Sequence, residues 1–168
     1  RLLGPNTNLN AFENFRDDYG PGTPPLRVAV TVTVSGDRIA IDYDGSSPQT
    51  RSGMNSAFNY TLSYVWHAVK SALVQQTIPQ NAGTMRPIKA RAPEGSLFNP
   101  RPPAAAGGRA VMQQRIVDVI LAALCQAVPE RVIAASSHWA NPIFEGHDAR
   151  RGKRFVYYDI AVGGMGAR

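Results

Sequence analysis

The sequence of 168 residues predicts an α+β fold, in which a mixed or antiparallel sheet with a β-hairpin carries two amphipathic helices. The first observation is a strictly alternating run of valines from 27 to 34, followed by a Gly-Asp turn. The second is that apolar residues recur at spacings of three and four in two segments, 56–76 and 109–127. A valine face and two apolar helix faces need a common surface, so we expect both helices to pack on the hairpin.

The hairpin has a specific predicted register. With Gly36-Asp37 as a two-residue turn, Val34 lies opposite Ile39 and Val32 opposite Ile41. This pairing also places every valine of the first strand on one face, which is the condition for a well-defined register. Along the second strand it puts Asp42 and Asp44 on the polar face, about 6 to 7 Å apart from the rise per residue.

The other segments have weaker patterns. Residues 1–26 are rich in asparagine, glycine and proline and are interpreted as an approach segment with one short helical turn at 9–15. Residues 79–108 contain six prolines and four glycines, which predicts a long, ordered loop. Near the end we expect a short strand at 132–135, a turn at 145–148 and a strand at 155–162. Residues 27–168 are taken as one partial domain.

Composition limits the classes of function. The net charge is +6, and the cations cluster in and beside the long loop and at 150–154. Neither cluster alternates with aromatic residues at a spacing that stacks bases, so no nucleic-acid partner is expected. No apolar run is long enough for a membrane span. The single cysteine, Cys125, fits a reducing compartment and predicts a cytoplasmic protein; we expect its thiol to be packed beside the second helix.

Two carboxylates on one strand face are a candidate for chemistry. Asp42 and Asp44 can orient a cation or share acid and base roles. The turn that follows, Gly45-Ser46-Ser47-Pro48-Gln49, offers hydroxyl groups and backbone amides at the strand end. The alternative is that the outer face of a hairpin is simply polar, and spacing alone does not separate the two interpretations.

Several short motifs together resemble one family. They are Asp42 to Gln49, Gly53-Met54-Asn55, Pro79 to Gly83, Pro93 to Pro100, Pro103-Ala104 and the closing Gly163-Gly164-Met165-Gly166-Ala167. In order and spacing they are similar to the B-type subunits of the hydantoinase B/oxoprolinase family, a group that includes the B-type subunit of N-methylhydantoinase and is related to the large subunits of acetone and acetophenone carboxylases. The similarity covers about residues 30–168.

The resemblance implies an enzyme complex. An A-type partner subunit would bind ATP and Mg²⁺, the amide oxygen of a small-molecule substrate such as a hydantoin or 5-oxoproline would be phosphorylated, and the B-type subunit would help hydrolysis. The related carboxylase branch is an alternative, and a non-catalytic scaffold for subunit assembly is a third interpretation. The metal motif associated with the amino-terminal part of the family has no counterpart here, so any divalent metal is expected outside this chain. The last residues follow a strand directly, and we expect the rest of the same subunit as a further partner.

Candidate site residues follow from the motifs and from their chemistry. Asp42 and Asp44 are assigned as catalytic carboxylates. The substrate-binding candidates are Ser46, Gln49, Asn55, Asn81, Gly83, Glu94, Asn99, Arg109, Gly163, Gly164 and Gly166, and no metal ligand is assigned. We expect Asp44, Asn81 and Gly164 to surround one cleft of about 10 Å. The alternative is that asparagine and glycine only satisfy tight turns.

Overall fold

The computed structural model describes residues 7–15, 22 and 24–167, with side chains described from 7 to 11 in the first of these stretches. The chain forms two compact units, one ending at Ala134 and one comprising Ala135–Ala167. The division falls inside the stretch 27–168. Among the described residues, no helix combines the length and the hydropathy that a membrane crossing requires.

The first unit contains a four-stranded sheet of order β1-β2-β3-β4. Its strands are β1 (Thr7–Phe15), β2 (Leu26–Ser35), β3 (Arg38–Asp42) and β4 (Ile88–Arg91). The first three are antiparallel neighbours, whereas β4 runs parallel to β3, so the sheet is mixed. The predicted hairpin register is confirmed, because Val34 pairs with Ile39 and Val32 with Ile41. Gly36 has φ of 61°, the left-handed conformation that glycine adopts without strain.

Two long helices, α1 (Phe58–Leu73) and α3 (Arg109–Cys125), contribute to the same core as the sheet. The valines of β2 and the stripes of both helices are buried in one cluster, in which Val28, Val32, Val65, Ile116 and Ile120 are fully buried. The predicted α+β class and the packing of both helices on the valine face are therefore confirmed. Cys125 ends α3 and is exposed, so the expected packed thiol is wrong.

The first strand, β1, replaces the short helical turn expected at 9–15. Its residues pair with β2 along their whole length, for example Leu9 with Val32 and Ala11 with Val30. Leu9 is buried, and Asn8 and Asn10 are exposed beside it. This alternation of period two satisfies a strand, because the asparagine side chains lie on the side open to solvent.

The long loop also contains regular structure. A short helix, α2 (Ala82–Met85), precedes β4 within the stretch that was expected to be irregular. Pro87 lies just before β4, and its carbonyl accepts a hydrogen bond from Ile39 N–H (3.0 Å). A proline at this position needs no ladder N–H, so it starts the strand and does not block it.

The second unit is built from two small two-stranded sheets. β6 (Ile143–Asp148) pairs with β7 (Lys153–Tyr158), and β5 (Trp139–Ala140) pairs with β8 (Ala161–Val162). The turn expected at 145–148 is thus a strand, and the strand expected at 155–162 is two strands with different partners. Residues 132–135 form no strand but follow a 3-10 turn, Pro129–Arg131.

Candidate functional site

The end of β3 and the loop at 93–100 lie together and form what we call the motif junction, residues 42–56 with 91–108. Tyr43 N–H donates to Arg91 O (2.9 Å), and Gln49 N–H donates to Gly95 O (2.8 Å). Leu97 N–H donates back to Ser47 O (3.0 Å), and Pro48 and Ser96 form a β-bridge. Motifs that are separated by about fifty residues in the sequence therefore form one backbone-bonded unit.

Most polar side chains of the motif junction bind backbone groups of the chain. Gln49 donates to Arg101 O (3.3 Å) and accepts from Arg101 N–H (2.7 Å). Ser46 Oγ donates to Ala29 O and accepts from Ala29 N–H, both at 3.0 Å. Asn99 Nδ2 donates to Ala92 O (3.1 Å). These contacts fix two loops against each other and against β2.

Asn55 is fully buried and makes four hydrogen bonds. Its Nδ2 donates to the carbonyls of Thr50 (2.8 Å), Ser52 (3.1 Å) and Ala105 (2.7 Å), and its Oδ1 accepts from Thr50 N–H (2.9 Å). The side-chain amide is thus used within the chain, and no atom of it is left for a substrate in this conformation.

A close backbone approach accompanies this network. Gly108 N–H donates to Gly53 O at 2.7 Å. A Cβ on Gly53 would lie 3.0 Å from Gly108 N, and a Cβ on Gly108 would lie 3.2 Å from Met54 Sδ. The glycine of the Gly53-Met54-Asn55 motif is therefore explained by packing against the start of α3.

The two aspartates differ in what they contact. Asp42 Oδ2 accepts from Arg91 (2.7 Å), and its Oδ1 accepts from Asp44 N–H (3.0 Å). Asp44 is exposed, and its carboxylate has no hydrogen-bond or ion-pair partner within the described part of the chain. Glu94 pairs with Arg101 at 3.2 Å, with both side chains exposed. Asp44 is thus the carboxylate of this surface that is available to a ligand.

Below this surface lies a buried aromatic pair. The rings of Tyr43 and Phe98 are 4.8 Å apart, and both residues are fully buried. Burial raises the pKa of the Tyr43 hydroxyl well above its usual range. The hydroxyl has no hydrogen-bond partner among the described residues, which is an unusual state for a buried polar atom. The pair supports the motif junction from the core side.

Asn81 and Gly83 are not brought to the motif junction. Asn81 caps α2, where its Oδ1 accepts from Gly83 N–H (2.8 Å) and Thr84 N–H (3.1 Å). This helix lies at the start of β4, whereas Asp42 pairs with Arg91 at its end. At about 3.3 Å per residue, β4 separates the two places by roughly 10 Å or more. Asp44 and Asn81 therefore do not meet around one small cleft.

The remaining candidates lie elsewhere. The Arg109 guanidinium donates to Ala106 O (2.9 Å) and stands 5.2 Å from the centre of the Tyr60 ring. The closing glycines belong to the second unit, where Gly163 N–H donates to His138 O (2.6 Å) and Gly164 O accepts from Ser137 N–H (3.0 Å). Gly166 is partly buried there. No group of three or more His, Cys, Asp or Glu side chains suited to a metal occurs among the described residues.

Sequence reasoning missed the buried hydroxyls that join α1 to the motif junction. Thr61 Oγ1 bonds with Ser56 Oγ (2.9 Å) and donates to Phe98 O (3.1 Å), and both hydroxyl residues are buried. Thr61 lies three residues after Phe58 and four before Val65, so its place on the apolar stripe of α1 was the available signal.

Comparison with known proteins places this arrangement in a wider group. The family model described as hydantoinase B/oxoprolinase matches residues 5–168. A B-type subunit from Pseudomonas sp. (strain NS671), named "Putative D-/L-hydantoinase", is 33% identical, over 94% of this chain and 27% of its own length. The 5-oxoprolinase of Saccharomyces cerevisiae is 31% identical, over 84% of this chain and 11% of its own.

Two solved structures share the fold. The ATP-dependent caprolactamase from Pseudomonas jessenii has a TM-score of 0.73 and 25% identity, over 90% of this chain and 26% of its own. A nucleotide-free acetone carboxylase has a TM-score of 0.72 at 14% identity, over 94% of this chain and 24% of its own. The chain thus spans about a quarter of the length of the hydantoinase relative and of both solved structures.

Proposed function

The chain belongs to the hydantoinase B/oxoprolinase family, and on that premise we propose that it is part of the B-type subunit of an ATP-dependent cyclic-amide hydrolase. The observation that carries the proposal is the likeness to an ATP-dependent caprolactamase over 90% of the chain, at a TM-score of 0.73 and 25% identity. The hydantoinase and 5-oxoprolinase relatives support the same substrate class, amides closed into a ring.

The proposed reaction makes a poor leaving group into a good one. The amide oxygen attacks the γ-phosphorus of ATP, which releases ADP and leaves a phosphorylated amide. Water then attacks the amide carbon, and the ring C–N bond breaks. A second water attacks the same carbon and releases inorganic phosphate, which keeps the former amide oxygen. One cyclic amide, one ATP and two waters are consumed for one amino acid, ADP and phosphate. We assign ATP and Mg²⁺ to an A-type partner subunit.

The residues of this chain have different proposed roles. Asp44 is exposed and has no partner in the described part of the chain, so its carboxylate is free to orient a water or a polar substrate group. Asp42 is fixed by Arg91 and positions the turn through Asp44 N–H. Gln49, Asn55 and Asn99 hold the loops in place. Among the described residues the acidic side chains of this surface offer no third metal ligand, so we place any metal-dependent step outside this chain.

The carboxylase branch is the second candidate, because an acetone carboxylase shares the fold at a TM-score of 0.72. A scaffold role is the third, since most polar side chains of the motif junction bind the chain itself. We propose a cytoplasmic complex that contains the A-type partner and the rest of the B-type subunit.

The test is ATP turnover by the complete B-type subunit with its A-type partner on hydantoin, 5-oxoproline and caprolactam, with and without bicarbonate. Ring opening without bicarbonate supports the hydrolase, whereas product formation that requires bicarbonate supports the carboxylase. Asp44→Asn is expected to lower turnover while the complex stays intact. The matched control is Asp37→Asn in the exposed hairpin turn. Full turnover by Asp44→Asn would remove Asp44 from the site.

A further inference from the structure

A groove of about 670 Å³ follows the outer edge of β4 and lies between α1 and α2. We call it the edge groove. Its apolar lining includes Leu62 and Trp66 from α1, Met85 from α2, and Ile88 and Ala90 from β4. Small-molecule sites have volumes of roughly 300 to 1,000 Å³ and are mostly apolar with a few polar groups. Its size and its lining are therefore those of a ligand site.

The strand edge supplies directed polar groups to the edge groove. Ile39 N–H donates to Pro87 O, and Tyr43 N–H donates to Arg91 O, so residues 87, 89 and 91 turn their backbone groups toward β3. Alternation along a strand turns the N–H and C=O of Ile88 and Ala90 the other way, toward the groove. Within the described part of the chain, β4 is the outer strand of the sheet, and these groups have no ladder partner. An amide group matches such a donor and acceptor pair.

Positive charge lies at one end of the same edge. Arg86 and Lys89 line the edge groove and also a second groove of about 490 Å³, which adds Arg38. Asp37 is the acidic side chain lining this second groove, and it lies 3.9 Å from Arg38 Nε. Arg86 and Lys89 have no ion-pair partner among the described residues. The place where the grooves meet therefore favours an anion.

We infer that the edge groove binds a small organic anion that carries an amide group and an apolar chain. The negative group lies at Arg86 and Lys89, the amide pairs with the backbone of Ile88 or Ala90, and the apolar chain packs on Leu62, Trp66 and Met85. The inference rests on the groove alone and does not depend on the proposed reaction, because the groove lies at the opposite end of β4 from Asp44.

The probe is N-acetylnorleucine, which has all three features, titrated calorimetrically into the complete protein that contains this chain. Three matched probes each lack one feature: the primary amide of N-acetylnorleucine lacks the charge, N-acetylglycine lacks the apolar chain, and heptanoate lacks the amide. Each is expected to bind roughly tenfold more weakly than N-acetylnorleucine or not at all, since a charge-assisted or buried contact is lost.

Variants locate the binding. Arg86→Gln is expected to weaken N-acetylnorleucine binding by roughly five- to tenfold and to leave binding of the neutral amide unchanged. Trp66→Leu is expected to weaken both, and Arg51→Gln, another exposed arginine of the first unit, to weaken neither. Circular dichroism confirms that each variant is folded. The inference is overturned if N-acetylnorleucine does not bind, as when another segment of the complete protein fills the groove. It is also overturned if Arg86→Gln binds it unchanged, or if the neutral amide binds equally well.

Discussion

Asn55 Nδ2 donates to the carbonyl of Ala105 at 2.7 Å, across fifty residues of sequence. The same amide also holds Thr50 and Ser52, so one buried side chain fixes the loop after β3 against the segment that leads into α3. Through this contact the motif junction has one conformation, and the exposed Asp44 surface is built on it.

Replacing Asn55 by alanine is expected to lower the free energy of unfolding by about 2 to 4 kcal/mol, because buried carbonyls and an N–H lose their partner. Asn59→Ala is the matched control: Asn59 is exposed and bonds only to the adjacent Tyr60 N–H. Chemical denaturation of both variants measures the difference. Equal stabilities would show that the Asn55 network is not what holds the two loops together.

The contact between Gly53 and Gly108 predicts a contrast between two glycines. Gly53→Ala is expected to cost about 1 to 3 kcal/mol, because the new methyl group would lie 3.0 Å from a backbone nitrogen. Gly107→Ala has free space around its Cβ and is expected to be neutral or to stabilise by up to about 1 kcal/mol. Thermal unfolding of the two variants tests this, and a reversed order would contradict the packing described here.

The buried hydroxyl of Tyr43 predicts a loss of stability at alkaline pH. Its pKa is raised by burial in the folded state, whereas the unfolded chain ionises near pH 10. Its contribution is therefore constant below about pH 10 and falls by about 1.4 kcal/mol per pH unit above it, until the folded pKa is reached.

Tyr43→Phe is expected to abolish that part of the alkaline slope. At neutral pH it should be neutral or stabilising by about 1 kcal/mol, because no partner in the described part of the chain loses a hydrogen bond. Urea midpoints between pH 8 and 11 give both effects, with the exposed Tyr158→Phe as the control. An unchanged slope in Tyr43→Phe would show that the hydroxyl is hydrated.

The closing glycines of the second unit are expected to differ in the same way. A Cβ on Gly163 would overlap Ser137 Oγ and His138 O, whereas a Cβ on Gly164 would make an ordinary 3.7 Å contact with Ser137 Oγ. Gly163→Ala should therefore break the pairing of β5 with β8, and Gly164→Ala should keep it. Amide hydrogen exchange of residues 137–140 reports the pairing, and protection retained in Gly163→Ala would contradict this structure.

The parts of the fold that the sequence predicts are those with a strong local period. Alternating valines and a Gly-Asp turn determine the β2–β3 register, and spacings of three and four determine α1 and α3. The β1 strand has the same alternation, but its polar positions are asparagines, which are typical of turns. The four residues of β4 stand between Pro87 and Pro93, and their pairing with β3 joins positions far apart in sequence. Local patterns do not contain that pairing.

The candidate site was predicted in its parts and not in its arrangement. The motifs identified Asp42, Gln49 and Asn99 as neighbours in function, and the structure brings them together. Asn81 is at the other end because β4 runs parallel to β3, and that direction sends α2 to the hairpin turn. The bonding of Asn55 could not be predicted either, since its partners are loop carbonyls that any residue type provides.

The most direct test of the central proposal follows the amide oxygen. The complete B-type subunit and its A-type partner are given ATP and a cyclic amide labelled with ¹⁸O at the carbonyl, and the inorganic phosphate is analysed by mass spectrometry. The proposed hydrolase transfers the label from the amide to phosphate, one atom for each ring opened. Ring opening that yields unlabelled phosphate, or ring opening that needs no ATP, would contradict phosphorylation of the amide oxygen as the function of this complex.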